Sequence, residues 1–366
     1  MTVDADQRFT ALALTLGRRG LGNAWPNPAV GAVVVKDGVV VGRGWTQPGG
    51  RPHAEVEALR RAGEAARGAT LYATLEPCSH HGKTPPCVDA IVAAGISRVV
   101  SALEDPNPEI AGQGHARLMS QGVAVTTGVC ADEARRAHAG HIRRLRDGRP
   151  HVTLKMAISA DGKAGLSGRK PAAITGEGAR ERVQLMRAMN DAVITGIGTV
   201  LADDPLLNVR LPGLEKRSPM RVILDSALRT PMQSKLATSA PRTLDWVFVE
   251  QTANPAHEAE LTSAGVEVLR VPGSDGRLDL TAVLRSLAER GITRVMVEAG
   301  PILSAAFRSA DLVDEAALFR SPAVIGPDGI DALDGLPLSA LTQSPRLNAV
   351  GSETIGADTV ERFERT

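Results

Sequence analysis

The chain has 366 residues, 43% of them hydrophobic, which is long for one domain and enough for two with real cores. A net charge of +1 argues against a broad nucleic-acid surface, and an aromatic content of 2% leaves few stacking platforms for single strands. Three cysteines, an odd number in so long a chain, argue against a disulfide framework and for a reducing, cytoplasmic setting.

Met1 to Asp6 carry neither a basic leader nor an apolar stretch, and no run approaches the roughly 18 apolar residues of a membrane span. In chain order, residues 5–19 read as an amphipathic helix. Val30 to Val35 and Val39 to Gly42 flank Asp37-Gly38, the signature of a tight β-hairpin. Residues 53–66 form a helical pattern, Ala69 to Leu75 a strand, Cys87 to Gly95 a helix ending on glycine, Arg98 to Ala102 a strand and residues 113–121 a helix. Alternating elements of this kind make an α/β sandwich. His141 to Pro150 is basic and ends in Gly, Arg and Pro, so the domain boundary is expected there, with one domain over 1–147 and another over 148–366. A new strand from His151 to Ser159 opens a second α/β series, with later strands near 192–196, 221–225, 245–249, 266–271 and 294–298. The tail beyond Pro345 has too weak a pattern to assign.

His53-Ala54-Glu55, then Pro77-Cys78, then Cys87 supply one imidazole, two thiols and a spare carboxylate. Zinc on three protein ligands keeps a position for water, and a glutamate beside it moves protons; this is the pattern of zinc deaminases. His53, Cys78 and Cys87 are the expected ligands and Glu55 the expected proton carrier. His53 and Cys87 both stand at expected helix starts, where partial positive charge favours thiolates. Two other readings stay open. The residues are ordinary core and surface groups, or His80 or His81 closes a four-ligand structural site. The general deaminase pattern has two residues between its cysteines, whereas eight stand here, Ser79 to Pro86.

That longer loop, Glu76 to Cys87, resembles the metal loop of the bifunctional riboflavin-biosynthesis deaminase/reductase family, and Asn27-Pro28-Ala29-Val30-Gly31-Ala32-Val33 looks like its pyrimidine-pocket segment. The resemblance covers nearly the whole chain. It implies a cytidine-deaminase-like α/β/α domain followed by a dihydrofolate-reductase-like α/β domain. It implies zinc-dependent deamination of 2,5-diamino-6-(5-phosphoribosylamino)pyrimidin-4(3H)-one, then NADPH-dependent reduction of the ribosyl group to ribityl. It also implies a small-molecule substrate and a homo-oligomer.

In the second half, Gly196-Ile197-Gly198 lacks the third glycine of the dinucleotide fingerprint. Val295 to Leu303 reads as a strand, a glycine turn and a helix start, a ready cradle for pyrophosphate or simply an ordinary turn. The resemblance adds the rest. It places Ala157, Thr199, Asp203, Ser226 and the run Gly300, Pro301, Ile302, Leu303, Ser304, Ala305, Ala306 beside the cofactor. It places Arg187, Leu207, Arg210 and Glu298 beside the substrate, where guanidinium groups suit a phosphate. Lys155, Asp161 and Glu298 are candidate acid–base groups. Where the family often shows Ser-x-Trp-Ile-Thr, this chain has Pro171-Ala172-Ala173-Ile174-Thr175, losing a hydroxyl and an indole. An altered or lost reductase is therefore the alternative reading. A nucleoside or tRNA deaminase and a zinc-stabilised nucleotide-binding module are the rival classes.

Overall fold

Asp37 and Gly38 take φ of 51° and 77°, the left-handed pair of a tight hairpin turn. They fold β1 (Gly31–Lys36) onto β2 (Val39–Trp45). The computed structural model describes residues 3–166, 174–240, 243 and 245–366. It contains two units, Met1–Gly148 and Arg149–Thr366.

In the first unit β3 (Thr70–Ala73), β4 (Arg98–Ser101) and β5 (Ala124–Thr127) complete a five-stranded sheet of order β2-β1-β3-β4-β5. The period of two sorts β1 between two cores. Val33 and Val35 meet Phe9, Ala13 and Leu16 of α1 (Val3–Gly17). Ala32 and Val34 face the opposite layer. That layer holds α2 (Ala54–Ala62), α3 (Cys87–Ala93) and α4 (Gln113–Ser120), through Ala58, Leu59, Val88, Ile91 and Leu118. The result is an α/β/α sandwich. Arg98 ties the layers together, its Nη1 and Nη2 donating to Asp6 of α1 at 2.9 and 2.7 Å.

The basic stretch expected to be a boundary is instead helical. After α5 (Ala131–Ala137), α6 runs from Ala139 to Asp147 and stops at Gly148, whose φ of 63° gives a left-handed cap. The division between the two units follows that helix, within one residue of the expected boundary between 147 and 148.

The second unit is built on a nine-stranded sheet. Its strands are β6 (His151–Ile158), β7 (Ala192–Gly196), β8 (Met220–Leu224), β9 (Asp245–Glu250), β10 (Val266–Val271), β11 (Arg294–Glu298), β12 (Glu315–Arg320), β13 (Leu347–Ile355) and β14 (Asp358–Arg365). Their order is β10-β9-β8-β7-β11-β6-β12-β14-β13. All but the last two pairings are parallel, and β14 and β13 add an antiparallel hairpin at one edge. The unassigned tail is that hairpin. Parallel strands covered on both faces read as apolar runs, and Val193, Ile223, Val247 and Met296 are buried in one core. Crossover helices include α7 (Glu177–Ala188), α8 (Ile197–Asp203), α9 (Lys235–Ser239), α10 (Glu258–Ser263), α11 (Leu280–Glu289) and α12 (Pro301–Ser309). Among the described residues, no helix is long and apolar enough to cross a membrane.

Candidate functional site

The first site is assembled from three elements. His53 occupies the N-cap position of α2, with extended backbone, and Glu55 lies in its first turn. Cys87 opens α3 behind Pro86, and Cys78 follows the end of β3. A ligand nitrogen of His53 and the two sulfurs lie within 4.8 Å of one another. His53 Nδ1 is 3.3 Å from Cys87 Sγ and 3.6 Å from Cys78 Sγ. His80 and His81 are exposed and lie outside this group, so no fourth protein ligand closes it among the described residues.

Without a metal the protons are shared around the cluster. A hydrogen bond from the Cys87 thiol brings the Cys78 thiol down to about 4, and the same bond pushes Cys87 up. The bond to Cys78 raises His53. Glu55 is buried at 3% exposure and in hydrogen-bond contact with the Cys87 thiol; burial pushes its carboxyl above the usual range. Two soft sulfurs, one imidazole and a neighbouring carboxyl outside the donor set fit zinc with a position to spare.

Sequence reasoning assigned Asn27 to the pyrimidine pocket through the family resemblance. The structure adds a second contact, because Asn27 Nδ2 sits 3.0 Å from His53 Nε2 and donates to Gly50 O at 2.9 Å. Glu76 is a staple for the metal loop. Its oxygens accept from the backbone N–H groups of Asp105, Gly112 and Gly114 at 2.9, 2.9 and 2.7 Å. Glu104 and His115 lie near it, but those bonds already occupy the Glu76 carboxylate. Cys130 stands apart at the start of α5.

The second site lies at the carboxyl ends of the parallel strands, where open α/β sheets bind ligands. β7 and β11 are neighbours, and each runs into a helix, α8 and α12. This brings Thr199 beside Gly300, where a Cβ on Gly300 would stand 3.9 Å from Thr199 Oγ1. A Cβ on Gly196 would stand 3.5 Å from Leu303. Ser226 follows the adjacent strand β8, and Ala157 lies near the end of β6. Thr195 Oγ1 is buried at the end of β7 with no hydrogen-bond partner among the described residues. An orphaned hydroxyl beside two helix starts fits a phosphate-bearing nucleotide such as NADPH. Pro301 to Ala306 continue into α12. Asp203 ends α8 and is exposed, and among the described residues no hydrogen bond or ion pair joins it to the other candidates.

The substrate-side residues form a chain of contacts. Arg187 forks onto Glu298, Nε to Oε2 at 2.9 Å and Nη2 to Oε1 at 2.8 Å. Its Nη1 donates to Asn208 O at 2.9 Å, and Arg210 Nη1 donates to Asn208 Oδ1 at 2.8 Å. Asn208 has no signal in the sequence, yet it joins both arginines. It follows Leu207, buried with φ of 49°, an outlier for a bulky side chain that turns the backbone here. Lys155 Nζ is 3.9 Å from Glu298 Oε1, and burial pushes its pKa down. Asp161 answers to a different description. It accepts from Ser159 Oγ, and from the backbone of Ile325 and Gly326 at 3.1 and 2.8 Å. The Ser159 bond helps hold it at about 2, so Asp161 has no proton to give near neutrality and serves as a loop anchor. The Pro171–Ala173 part of the departing stretch lies outside the described residues.

Comparison with known proteins decides the family. The cytidine and deoxycytidylate deaminase zinc-binding region matches residues 3–103, and the RibD C-terminal domain matches residues 150–360. The riboflavin biosynthesis protein RibD of Escherichia coli K12 is 40% identical, covering 96% of this chain and 97% of that protein. The chain belongs to the RibD family. RibD of Aquifex aeolicus is 39% identical with both chains covered at 100%. The solved structure of Acinetobacter baumannii RibD, form 1, superposes with a TM-score of 0.89 at 37% identity over 100% of both chains. A Thermotoga maritima diaminohydroxyphosphoribosylaminopyrimidine deaminase/5-amino-6-(5-phosphoribosylamino)uracil reductase gives 0.85 at 34% identity, over 100% of this chain and 99% of that one. As a RibD family member the chain is a bifunctional enzyme of riboflavin synthesis, a zinc-dependent deaminase and an NADPH-dependent reductase acting on phosphoribosyl pyrimidines. Nothing in these comparisons favours the deaminase-only reading.

Proposed function

We propose that the two activities divide between the two units, deamination over 1–147 and reduction over 148–366. The observation that carries the first assignment is the His53, Cys78, Cys87 cluster with Glu55 in contact with Cys87. His53, Cys78 and Cys87 hold the zinc. Bound zinc supplies a Lewis acid that makes water nucleophilic at neutral pH. Glu55 accepts a proton from the attacking water at its carboxylate and delivers it to the departing amine, which leaves as ammonia. Burial suits Glu55 to this work, because a raised pKa makes it a stronger base.

In the second unit Thr199, Ser226 and the Gly300–Ala306 turn and helix hold NADPH, with Ala157 against it and Asp203 at the rim. Bound NADPH supplies a hydride. Lys155 is the proton donor, since burial lowers its hold on the proton and Glu298 stands 3.9 Å away to orient it. Arg210 faces the sugar phosphate, and Leu207, its side chain buried in the core, turns the backbone beside it.

The setting is cytoplasmic, because the chemistry needs Cys78 and Cys87 reduced. The assembly is a homo-oligomer, supported by β13, an almost wholly exposed strand at the edge of the nine-stranded sheet. Incubation with the diaminopyrimidine phosphate should release ammonia and only then consume NADPH. Release from cytidine alone would overturn the substrate reading, and sedimentation as a monomer would overturn the assembly.

A further inference from the structure

Arg221 of β8 and Asp245 of β9 are partners in register on adjacent parallel strands, so both side chains leave one face of the sheet. They are buried, 1% and 0% exposed, where no ligand reaches. Nε and Nη2 of Arg221 fork onto the carboxylate, Nη2 to Oδ2 at 2.7 Å. The rest of the guanidinium reaches further. Nη1 donates to Leu206 O at 3.2 Å and to Ser239 Oγ at 2.9 Å, and Nη2 donates to Leu236 O at 3.3 Å. One side chain thus joins two strands, α9 and the loop that follows α8. A buried ion pair commonly adds no stability over apolar side chains of the same volume. The worth of this one lies in the carbonyls that its other donors fix.

The loop from Asp204 to Arg210 needs such fixing. Asp204 and Leu207 take φ of 40° and 49°, left-handed values that side chains rarely adopt. Strain of this kind persists only where the surroundings over-determine it. Around Leu207 they do. The carbonyl before it, Leu206 O, accepts from Arg221, and the carbonyl after it, Asn208 O, accepts from Arg187 at 2.9 Å. Val209 N donates to Ser218 Oγ at 3.0 Å. At the other end of the loop, Asp204 Oδ1 accepts from Lys235 N at 2.7 Å, where α9 begins. The Leu207 side chain lies in the same core as Ile223, Val247 and Leu236. Ile223 and Val247 stand two residues beyond Arg221 and Asp245, and so on the same sheet face.

We infer that Arg221, held by Asp245, is a positioning residue for the reductase: it pins Leu206 O, keeps the left-handed turn at Leu207, and so sets where Arg210 meets the substrate. This rests on the proposed placement of the reductase in the second unit. Arg221 touches no substrate atom. Asp245 fixes the guanidinium, the guanidinium fixes the loop backbone, and the loop carries Asn208 and Arg210 to the site, where they bond to each other at 2.8 Å.

The test is steady-state NADPH oxidation by the full-length, zinc-loaded protein with the deaminated pyrimidine. Arg221→Lys keeps a cation opposite Asp245, but an ammonium cannot fork onto the carboxylate and hold Leu206 O as well. A grip made equally in the ground and transition states shows in KM rather than kcat. KM for the pyrimidine should therefore rise about tenfold in R221K, while kcat and KM for NADPH stay within about twofold of the wild type. In an R210M background the same change should add nothing to KM for the pyrimidine, because both act along one route. A lowered thermal midpoint with unchanged KM, or KM increases that multiply in the double variant, overturns the inference. Should R221K fail to fold, R221M/D245L, which replaces the pair with apolar side chains, is read in the same way. A pair that cannot be replaced even so is a requirement of the fold and not of the loop, which also overturns it. Wild-type protein that oxidises no NADPH defeats the reductase assignment itself, a separate result.

Discussion

The backbone N–H of Cys87 donates to the sulfur of Cys78 at 3.2 Å. The start of α3 therefore serves both thiols: it carries one and points a donor at the other. The eight residues between the cysteines are the span that lets the chain leave the end of β3 and return as a helix start. A short two-residue spacing would place both thiols on one element. Here two elements are clamped.

Zinc removal should therefore act on stability as well as activity. Dialysis against a chelator should abolish ammonia release from the diaminopyrimidine and leave NADPH oxidation intact when the deaminated pyrimidine is supplied directly, and zinc should restore the loss. A metal at 1,000 times its dissociation constant adds about 4 kcal/mol to the state that binds it. Calorimetry should show the first unit's transition falling on chelation while the second unit's stays. Equal loss of both activities would defeat this division of labour.

Glu55→Gln should separate binding from chemistry. The amide is isosteric and lies outside the donor set of His53, Cys78 and Cys87, so zinc content should stay near one per chain. Ammonia release should fall by about 10²–10⁴-fold, the usual worth of a positioned acid–base group. Metal analysis alongside the ammonia assay checks both halves. A variant that loses zinc and activity together would make Glu55 a structural residue.

The position of α2 depends on two glycines of β2. A Cβ on Gly44 would meet Ala54 O at 2.2 Å, and one on Gly42 would meet Ala58 O at 2.2 Å. Both contacts are with backbone, which cannot swing aside. Gly44→Ala must push the helix start that carries His53 and Glu55 away from the sheet. Overpacking of this kind costs about 1–3 kcal/mol. Thermal unfolding should show that loss in the first unit, together with weaker zinc retention; wild-type stability in G44A would refute the close approach.

Much of this was legible from residue order alone. Asp37-Gly38 between valine runs specified the hairpin, and the apolar stretch at 192–196 and the alternating one at 266–271 specified strands. The terminal hairpin was not legible. β13 is exposed over nearly its whole length, so no buried alternation marks it. The basic run at 141–147 marked the domain boundary by its composition, but its helical form was not legible, because few of its residues are buried to leave an apolar stripe. At the sites, His53, Glu55, Cys78 and Cys87 could be singled out because metal chemistry restricts which residue types serve. Arg187 came only through the family resemblance, since its partner Glu298 lies 111 residues further on and an arginine carries no mark of what it will bind.

His141, in α6, gives the protein a pH dependence. Among the described residues both its ring nitrogens are buried without a hydrogen-bond partner, and burial pushes its pKa down to about 4 from the ordinary 6.5. The folded state thus holds the ring neutral where the unfolded state protonates it. The resulting stability is present in full above pH 6.5, and it drains away as the pH falls toward 4, because only the unfolded chain takes up the proton in that window. The first unit's thermal midpoint should drop across that range, and His141→Leu, which has no proton to gain, should show a shallower drop. Carboxylates with lowered pKa values contribute equally to both proteins, so the difference between the two curves isolates the ring. Parallel curves for wild type and H141L would show that the imidazole is already hydrated in the fold.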